Sequence, residues 1–458
     1  MHCRKHSEWA DEQLFAPHLR AAGYRVGIFG KYVNSDNPAA APPGVETWFG
    51  NGGGSYFNPS FSYDAVAGQA PGPTTLKFDN ASAPGAAYST SVIGNMSVPW
   101  VRQQLKAHAS TADGHPFMAY IAPKAPHIQD GPGFPITLPA PWHADALPDH
   151  HTAPRTPSWN YSAVDHHWMI AQQQPMTTEE AQHSDALYRA RHQSLLAVDD
   201  LVAAIVAEVE AAGALDKTYF LFTSDHGFRL GQFRMPEGKW NVYDNNIRIP
   251  MVMAGPGIAA NSTFDHVASN VDVMPTVLGL AGLPTPETMD GRSFAPEIVS
   301  PTAALPAQTA KHLRAAQAAS SAGRAPWREA QLVEYYGLGN VVRYQHLEDT
   351  YNNTFRALRM LRRDASTGRR VPAGTAPWIN VLYAEFTDVR TDWNFTANPN
   401  FYELYDLDTD PHMLHNAYGT LANDTLKAEL HNTLVELFAC RGSPDAAPGA
   451  AASGKVCN

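Results

Sequence analysis

A short apolar run that ends in a polar turn constrains this chain more than any other segment. Residues 218–223 are β-prone and mostly apolar, and the turn that follows reads Ser224-Asp225-His226-Gly227. A run of this length and hydrophobicity predicts a fully buried strand. Ligands of open α/β sheets bind at the carboxyl ends of the strands. The segment therefore predicts such a sheet, with a carboxylate and an imidazole at its binding edge.

Other segments alternate between strand and helix patterns in the way that an α/β sheet requires. Apolar or alternating runs predict further strands at 24–30, 117–123 and 249–254. Helical patterns lie between them, at 12–22, 98–106, 178–212 and 271–282. This alternation is typical of a sheet that is covered by helices on both of its faces.

The composition changes after about residue 300. Residues 301–330 are Ala-rich and predict a linker or insert, and short strand patterns follow at 332–336, 357–361 and 380–386. With a helix near 426–439, these strands predict a small antiparallel sheet. We therefore expect an α/β domain over 1–300, the linker over 301–330, an α+β subdomain over 331–442 and a disordered tail over 443–458.

Charge and hydropathy limit the classes of function. The chain has 44 Asp and Glu against 33 Lys and Arg, a formal net charge of −11, which argues against a nucleic-acid-binding surface. No apolar run approaches the ~20 residues that a membrane-spanning helix needs. The first twenty residues are charged and contain no apolar core of a signal peptide.

Two further features bear on the cellular compartment. Seven Asn-x-Ser/Thr sequons are glycosylation candidates and suggest a secretory history: Asn80, Asn95, Asn160, Asn261, Asn352, Asn394 and Asn423. Of the three cysteines, only Cys440 and Cys457 are near enough in sequence to close a short loop, which would leave Cys3 over. The cysteines alone leave the redox compartment open.

The Asp-His pair after the predicted strand has a functional and a plain interpretation. Asp225 offers hard oxygen donors suited to Ca²⁺ or Mg²⁺, whereas His226 offers the imidazole that Zn²⁺ prefers. In the plain interpretation, Asp225 caps the next segment and His226 is a satisfied polar residue. For an isolated Ser-Asp-His-Gly, the plain interpretation would be favoured.

The motif is not isolated, because others stand before and after it in a characteristic order. They read Ala21-Ala22-Gly23-Tyr24, Gly30-Lys31-Tyr32-Val33-Asn34, Ala125-Pro126-His127, Pro236-Glu237-Gly238-Lys239 and, near the end, Phe401-Tyr402-Glu403-Leu404-Tyr405-Asp406 followed by Leu-Asp-Thr-Asp-Pro. Together with the Asp-His-Gly turn they resemble the sulfatase family over nearly the whole chain, from about Gly23 to Asn416. The likeness is greatest to the branch of N-acetylglucosamine-6-sulfatases and extracellular sulfatases, shared with arylsulfatases.

The resemblance implies a fold, an activity and a compartment. The fold is alkaline-phosphatase-like: a large mixed, mostly parallel sheet flanked by helices on both faces, and a smaller C-terminal domain with a short antiparallel sheet. The activity is hydrolysis of sulfate esters, with a sulfated glycan or an aryl sulfate as substrate. The compartment is the secretory pathway, the extracellular space or the lysosome.

The resemblance also implies roles for five residues. Lys31 and Lys239 match lysines that contact the sulfate and the activated nucleophile, and His127 matches the histidine that protonates the leaving oxygen. Asp225 and His226 match two ligands of a metal, which is Ca²⁺ in this family, with Zn²⁺ or Mg²⁺ less favoured. Taken singly, each lysine could be plain surface charge, and His127 a packed loop residue.

The sequence departs from the family pattern at the nucleophile. Family members carry an Asp-Asp pair after their first strand and then Cys/Ser-x-Pro-x-Arg, whose Cys or Ser becomes formylglycine. Neither motif occurs in the 458 residues, and the sequences after Cys3 and Cys440 do not fit. We therefore expect no nucleophile and no turnover in this chain, and weak cation binding, because Ca²⁺ takes about 6–8 oxygen ligands.

Three hypotheses follow from this departure. The first is a truncated sulfatase gene product, favoured because Lys31, His127, Asp225 and Lys239 would otherwise have little reason to occur together. The second is a non-catalytic sulfatase-fold protein that binds a sulfated glycan or a partner. The third is a metal-dependent phosphatase or phosphodiesterase of the same superfamily. A nucleophile motif in frame upstream of Met1 would separate the first hypothesis from the second.

Residues 131–175 form a long stretch rich in Pro, His and Trp that shows no periodicity. Stretches of this kind are usually functional, and aromatic rings stack on sugar faces, so this one could form a wall of the substrate pocket. A solvated insert without a role is an equal alternative. The residues concerned are Trp142, His143, His150, His151, Trp159, His166, His167 and Trp168.

A missing first strand would also affect stability. A sulfatase sheet without that strand would leave neighbouring strand edges unpaired and some apolar surface uncovered. We therefore expect the isolated chain to express poorly or to aggregate.

Overall fold

The computed structural model describes residues 14–33, 39–65, 73–79, 87–110, 114–129, 134–321, 327–363, 371 and 378–443. The predicted tail beyond residue 443, the sequon at Asn80, and Cys3 and Cys457 lie outside this part of the chain. The chain divides into two compact units. Unit 1 is Met1–Thr152 with Asp185–Tyr219, and unit 2 is Ala153–Ser184 with Phe220–Asn458. This division has no boundary at residue 300 or residue 330, so the domain boundaries expected there stay a prediction.

Unit 1 contains a five-stranded mixed sheet in the order β4-β3-β2-β1-β5. The strands are β1 (Arg25–Lys31), β2 (Thr47–Asn51), β3 (Ser60–Ala65), β4 (Thr74–Lys77) and β5 (Phe117–Ala122). Strand β1 pairs in parallel with both β2 and β5, and the β2-β3-β4 part is antiparallel. A mixed sheet was predicted, and its parallel part is confined to β2-β1-β5.

Glycine at position 30 allows β1 to lie close against β5. Gly30 pairs with Ala122 and has φ +105°, in the left-handed region that side chains rarely adopt. A Cβ at this position would collide with the backbone oxygen of Ala122. The sheet therefore requires glycine immediately before Lys31.

Helices and a small apolar cluster support this sheet. Helices α1 (Phe15–Ala21) and α2 (Ser89–Ser110) both pack against β1. Helix α4 (Thr178–Ala211) runs on from unit 2 into unit 1, as its long apolar pattern predicts. One core cluster of unit 1 gathers residues from loops and helices: Tyr56, Tyr88, Ala125, Ala140, Ala197 and Val198.

Unit 2 contains the antiparallel sheet that the sequence predicts, in the order β13-β12-β11-β8. Its strands are β8 (Ala330–Tyr335), β11 (Thr354–Leu361), β12 (Asn380–Thr387) and β13 (Phe401–Asp406). Helix α10 (Asp424–Ala439) packs against it and buries Leu426, Leu430 and Leu434. A hairpin of β9 (Val341–Arg343) and β10 (His346–Asp349) lies between β8 and β11 in the sequence.

The strand that opened the sequence analysis is less buried than predicted. It forms β6 (Phe220–Thr223), which pairs only with β7 (Met251–Ala254) among the described strands, in an antiparallel ribbon. Phe222 is 43% exposed and Val252, its partner in the register, is 62% exposed. The prediction of a fully buried strand at residues 218–223 is wrong. In the described part of the chain, neither the ring of Phe222 nor the side chain of Val252 is covered.

The Ala-rich segment that was predicted as a linker is partly helical. Residues Ala307–Ser321 form α8, which packs against α6 (Val273–Leu280) and α7 (Ala295–Ile298). Ala310 and Leu313 are buried there, so this Ala-rich helix docks through its apolar side chains. The remaining short helices are α3 (Trp168–Ala171), α5 (Asp244–Ile247) and α9 (Val389–Asp392). Within the described residues, none of the helices is long and apolar enough to cross a membrane.

Candidate functional site

Lys31 is the last residue of β1 and lies at the carboxyl edge of the unit 1 sheet. Its register partner is Asn51 at the end of β2. The Asn51 side chain is buried, accepts a hydrogen bond from the Gly53 backbone nitrogen at 3.1 Å and donates one to the Ser60 carbonyl. The strand end that carries Lys31 is therefore fixed by backbone pairing and by a neighbouring buried amide.

His127 follows the carboxyl end of β5, in a loop fixed by three side chains. The Tyr56 hydroxyl donates to the His127 carbonyl oxygen at 2.7 Å, and an Arg191 guanidinium N–H donates to the Pro126 carbonyl at 2.7 Å. The third side chain is Thr137, whose hydroxyl lies 3.4 Å from the carbonyls of Pro126 and His127. Burial raises the pKa of Tyr56 well above its ordinary value, so this hydroxyl stays a donor.

The ring of His127 is oriented by its own loop. Its Nδ1 lies 2.5 Å from the carbonyl oxygen of Ile128 and must donate there, because a carbonyl oxygen only accepts. This bond leaves Nε2 as the nitrogen that can take up and release a proton. Since β1 and β5 are adjacent and parallel, Lys31 and His127 lie at the same edge of one sheet.

In unit 2, Asp225, His226 and Lys239 come together at the end of β6. The Nδ1 of His226 donates to the Gly227 carbonyl at 2.8 Å, which leaves the lone pair on Nε2. The Lys239 Nζ lies 2.8 Å from that Nε2 and donates to it. The Oδ2 of Asp225 is 3.4 Å from the same Nε2, and the Asp225 side chain is 68% exposed. A carboxylate oxygen and an imidazole lone pair thus face a common region beside an ammonium.

One backbone hydrogen bond and the bridging residue Asn246 join the two loops that carry these residues, which we call the site loops (residues 225–229 and 237–241). Arg229 N–H donates to the Gly238 carbonyl at 2.9 Å, and the Asn246 amide donates to the same oxygen at 3.1 Å. Gly227 N–H donates to the Asn246 carbonyl at 2.7 Å. The Asn270 amide holds the Asp225 carbonyl at 2.9 Å.

Buried charges lie directly behind the site loops. Arg229 donates to Glu348 Oε2 at 2.5 Å and also to the Asn241 side chain, and Arg343 donates to Glu237 at 2.9 Å. Burial raises the pKa of Glu348, and the Arg229 guanidinium opposes this shift and favours the ionised carboxylate. Sequence reasoning missed Arg229 and Glu348 because they are more than a hundred residues apart and follow no motif.

The donor set for a cation is incomplete in the described part of the chain. Asp225 and His226 supply two donors of the kind that metal ions use. No group of three or more His, Cys, Asp or Glu side chains that could hold a metal occurs among the described residues. These two residues fit as part of a metal site but do not complete a Ca²⁺ coordination sphere.

The long stretch rich in Pro, His and Trp divides into exposed and packed parts. In unit 1, Trp142 is 51% exposed, His143 binds Asp200 at 2.7 Å, and His151 binds His192 at 2.7 Å. In unit 2, His166 and His167 are buried, and His167 stacks on Phe386. His166 and His167 are therefore core residues, and neither the pocket wall nor the solvated insert describes them. His150 and Trp168 are exposed, and the Trp159 ring lies under the Arg155 guanidinium.

The sequons also differ in their surroundings. Asn160 accepts a hydrogen bond from Met176 N–H, and Asn423 caps helix α10. Asn95, Asn261 and Asn394 are exposed, and Asn352 is half-buried. Cys440 is disulfide-bonded, and the other two cysteines lie outside the described residues.

A comparison with known protein families identifies the family of this chain. The sulfatase family profile matches residues 4–283. The chain belongs to the sulfatase family, whose members hydrolyse sulfate esters. The resemblance inferred from the sequence motifs is confirmed, and so is the alkaline-phosphatase-like fold class.

Two relatives and one solved structure show how far the likeness extends. N-acetylglucosamine-6-sulfatase from Bos taurus is 29% identical over 452 residues, which cover 93% of this chain and 68% of the relative. The extracellular sulfatase SULF-1 homologue from Drosophila melanogaster is 32% identical over 298 residues, 63% of this chain and 24% of the relative. A structure solved with its substrate D-glucosamine-2-N,6-O-disulfate superposes with TM-score 0.65 and 20% identity, covering 93% of this chain and 81% of that one.

Proposed function

We propose that this chain has the specificity of a sulfatase for a sulfated glucosamine unit of a glycan, with glucosamine 6-sulfate as the preferred ester, and that turnover requires a nucleophile motif that these 458 residues do not contain. The observation that carries the proposal is the contact of Lys239 with His226 beside Asp225. The name of the bovine relative and the substrate in the solved complex support the choice of sugar. Other glycan sulfates and simple aryl sulfates are the next candidates.

The two lysines neutralise charge on the sulfate group. Sulfate-ester hydrolysis concentrates negative charge on the sulfate oxygens, which fixed cations stabilise most in a site that excludes water. Lys239 is half-buried, and its ammonium is oriented by His226. Lys31 is half-buried at the rigid end of β1. Both positions suit a fixed ammonium better than a freely moving surface lysine.

His127 delivers a proton to the leaving alcohol oxygen. Its Nδ1–H stays on the Ile128 carbonyl in both protonation states, so only Nε2 exchanges a proton. A histidine held in this way needs no ring rotation between taking up and releasing that proton. The Tyr56 bond to the His127 carbonyl keeps the imidazole in place during the transfer.

Asp225 and His226 are the proposed ligands of a cation, with Ca²⁺ preferred over Zn²⁺ and Mg²⁺. When bound, such a cation would supply Lewis-acid charge to the sulfate end of the substrate. Ca²⁺ tolerates variable ligand number, whereas Mg²⁺ demands near-octahedral oxygen ligands. The Nε2 lone pair of His226 is the donor that a metal would use, and Lys239, which donates to it in this structure, would have to turn toward the sulfate when a cation binds.

The expected inactivity of the 458-residue chain stays a prediction. Without a Cys/Ser-x-Pro-x-Arg motif, formylglycine has no position in this sequence. The remaining residues can still hold a sulfated ligand through charge. We therefore expect this chain to bind glucosamine 6-sulfate and to release no sulfate from it.

Ligand binding and turnover should be measured together on the full chain. Glucosamine 6-sulfate is titrated in a calorimeter, and sulfate release is followed with an aryl sulfate and, separately, an aryl phosphate. We expect binding that falls on the order of tenfold in Lys239→Ala, because one charge-assisted hydrogen bond is lost. The control is Lys217→Ala, which changes an exposed lysine of unit 1.

Three results would redirect the assignment. Sulfate release by the full chain that is lost in Lys239→Ala would overturn the predicted inactivity. Turnover of the aryl phosphate with added Zn²⁺ would favour the phosphatase or phosphodiesterase alternative. Binding of the sugar without any turnover, unchanged in Lys239→Ala, would favour a non-catalytic glycan-binding protein with its site elsewhere.

We further propose that the protein follows the secretory pathway to the extracellular space or the lysosome. The disulfide at Cys440 is of the kind that persists in oxidising compartments. The side chains of Asn261 and Asn394 are exposed, so these sequons are accessible to glycosylation. The Drosophila relative is named as an extracellular sulfatase.

A further inference from the structure

We infer that Arg229 and Glu348 form a buried positioning pair that sets the contact between His226 and Lys239. Both side chains are 1% exposed, and they are joined at 2.5 Å. Both residues are buried, whereas the Asp225 side chain is 68% exposed, so neither Arg229 nor Glu348 is a candidate to touch substrate. Their role is to fix the site loops. The inference rests on the proposed function only where it assigns His226 and Lys239 to a sulfate-binding site.

The Arg229 guanidinium lies between the two site loops. Its backbone N–H donates to the Gly238 carbonyl at 2.9 Å, and its side chain donates to Asn241. His226 precedes Arg229 by three residues, and Lys239 lies between Gly238 and Asn241 in the sequence. Arg229, which belongs to the loop of His226, therefore contacts the segments on both sides of Lys239: Gly238 through its backbone N–H and Asn241 through its guanidinium.

Gly238 shows how closely the chain wraps around this pair. Its φ is +124°, and a Cβ built on it would collide with the Arg229 guanidinium and the Glu348 carboxylate. Because the backbone before Lys239 rests directly on the ion pair, a shift of the guanidinium must move Lys239. Glu348 stands on β10, so the position of the guanidinium is set from outside the site loops.

The charges around the pair explain why it has to stay intact. Glu237 is buried beside it and is paired with Arg343, which is partly exposed. Removing the Glu348 charge leaves the Arg229 guanidinium with Asn241 as a hydrogen-bond acceptor and with Glu237 and Asp349 as the neighbouring carboxylates. The guanidinium should then shift toward these carboxylates, of which Glu237 directly precedes Gly238, and the His226–Lys239 contact should loosen.

Site-resolved acetylation of the full chain tests this inference without any ligand. Mass spectrometry gives the labelling rate of Lys239 relative to the exposed Lys106 and Lys217. In Glu348→Gln we expect this ratio to rise on the order of tenfold, as expected when a charged hydrogen-bond network is broken. A long-range ¹H–¹⁵N spectrum should show the His226 ring losing its single tautomer, with its signal assigned by His226→Asn.

The matched control is Glu385→Gln, which breaks another buried Arg–Glu pair in unit 2. Glu385 pairs with Arg356 at 2.7 Å, and both side chains are buried. This variant should lose stability but leave the Lys239 ratio and the His226 tautomer unchanged. If Glu348→Gln does not melt cooperatively, Glu348→Asp, which keeps the charge but shortens the side chain, is measured instead.

Equal Lys239 ratios in the two variants would overturn the positioning role, because general loosening would then explain both. Unchanged Lys239 labelling and an unchanged His226 tautomer in Glu348→Gln or Glu348→Asp would also overturn it. Failure of wild-type protein to bind glucosamine 6-sulfate would count against the proposed function alone, since the labelling is measured without sugar.

Discussion

The carboxyl edge of the unit 1 sheet and the site loops of unit 2 hold their candidate residues in different ways. In unit 1, strand pairing positions Lys31. Hydrogen bonds from side chains to the backbone carbonyls of the loop position His127. In unit 2, His226 and Lys239 lie on irregular loops that rest on a buried ion pair. A residue that is held by backbone hydrogen bonds should keep its position when neighbouring side chains are changed. A residue whose loop rests on a buried ion pair should lose its position when that pair is broken.

The largest expected effect is in unit 2, from Arg229→Met. This change leaves the Glu348 carboxylate buried without its partner, and breaking a buried pair in this way costs about 3–5 kcal/mol. Urea unfolding followed by circular dichroism measures the loss. The comparison in unit 1 is Tyr56→Phe, which removes one neutral donor to the His127 carbonyl and should cost about 1 kcal/mol. Equal losses in the two variants would contradict the contrast between the units.

The second effect is a dependence of stability on pH that originates in unit 2. Burial lowers the pKa of His167 to about 3, and that of His183 and His266 to about 4. A folded pKa below the unfolded value means that stability is present above about pH 6.5 and is lost as the pH falls. For His167 the loss should be about 2 kcal/mol at pH 5, at 1.36 kcal/mol per pH unit.

His167→Phe tests this pH dependence, because it removes the titrating ring but keeps the stacking on Phe386. Urea midpoints measured between pH 7.5 and pH 5 should fall less in this variant than in the wild-type chain. His415→Asn is the control, since His415 is exposed. A wild-type midpoint that does not change over this pH range would show that His167 is not held neutral.

The smallest expected effect on stability concerns the two edges of the unit 1 sheet. Strand β5 is an edge strand in the described sheet and reads Phe-Met-Ala-Tyr-Ile-Ala, without charge or proline to discourage pairing with another chain. Ala119→Lys should lower aggregation, measured by light scattering at 37 °C, and change the free energy of unfolding by no more than about 1 kcal/mol.

The opposite edge supplies the matched control. Strand β4 is mostly exposed and polar, so Thr75→Lys should leave aggregation unchanged. If both variants scatter light like the wild-type chain, the β5 edge is not the route of association. A cooperative, monomeric melt of the wild-type chain at ordinary temperature would contradict the expectation of aggregation itself.

Much of the fold could be predicted because local patterns carry it. The strand and helix patterns of residues 24–30, 178–212 and 380–386 reappear within about two residues, since periodicity and strand propensity are local signals. The exposure of Phe222 could not be predicted from local patterns. Its hydrophobicity predicts a covered strand, but exposure depends on which elements pair with β6, and only β7 does so in the described structure.

Two other features also depend on contacts that the local sequence does not show. The Ala-rich stretch around residue 313 lacks a strong apolar pattern, and its helix is stabilised by docking on α6 and α7. His166 and His167 stood in a polar, aromatic stretch that suggested a pocket wall, yet they are core residues. Their environment is set by strands more than two hundred residues away in the sequence.

The sequence by itself determined the family and the five candidate residues, because motif order and residue chemistry are properties of the linear chain. It also determined that the nucleophile motif is missing from these 458 residues. Only the tertiary structure decided that Lys239 donates to the unprotonated nitrogen of His226, and that Arg229 and Glu348 lie behind this contact. The tautomer of a histidine and the partner of a buried charge depend on groups that folding brings together from distant segments. Local sequence patterns do not indicate which groups these are.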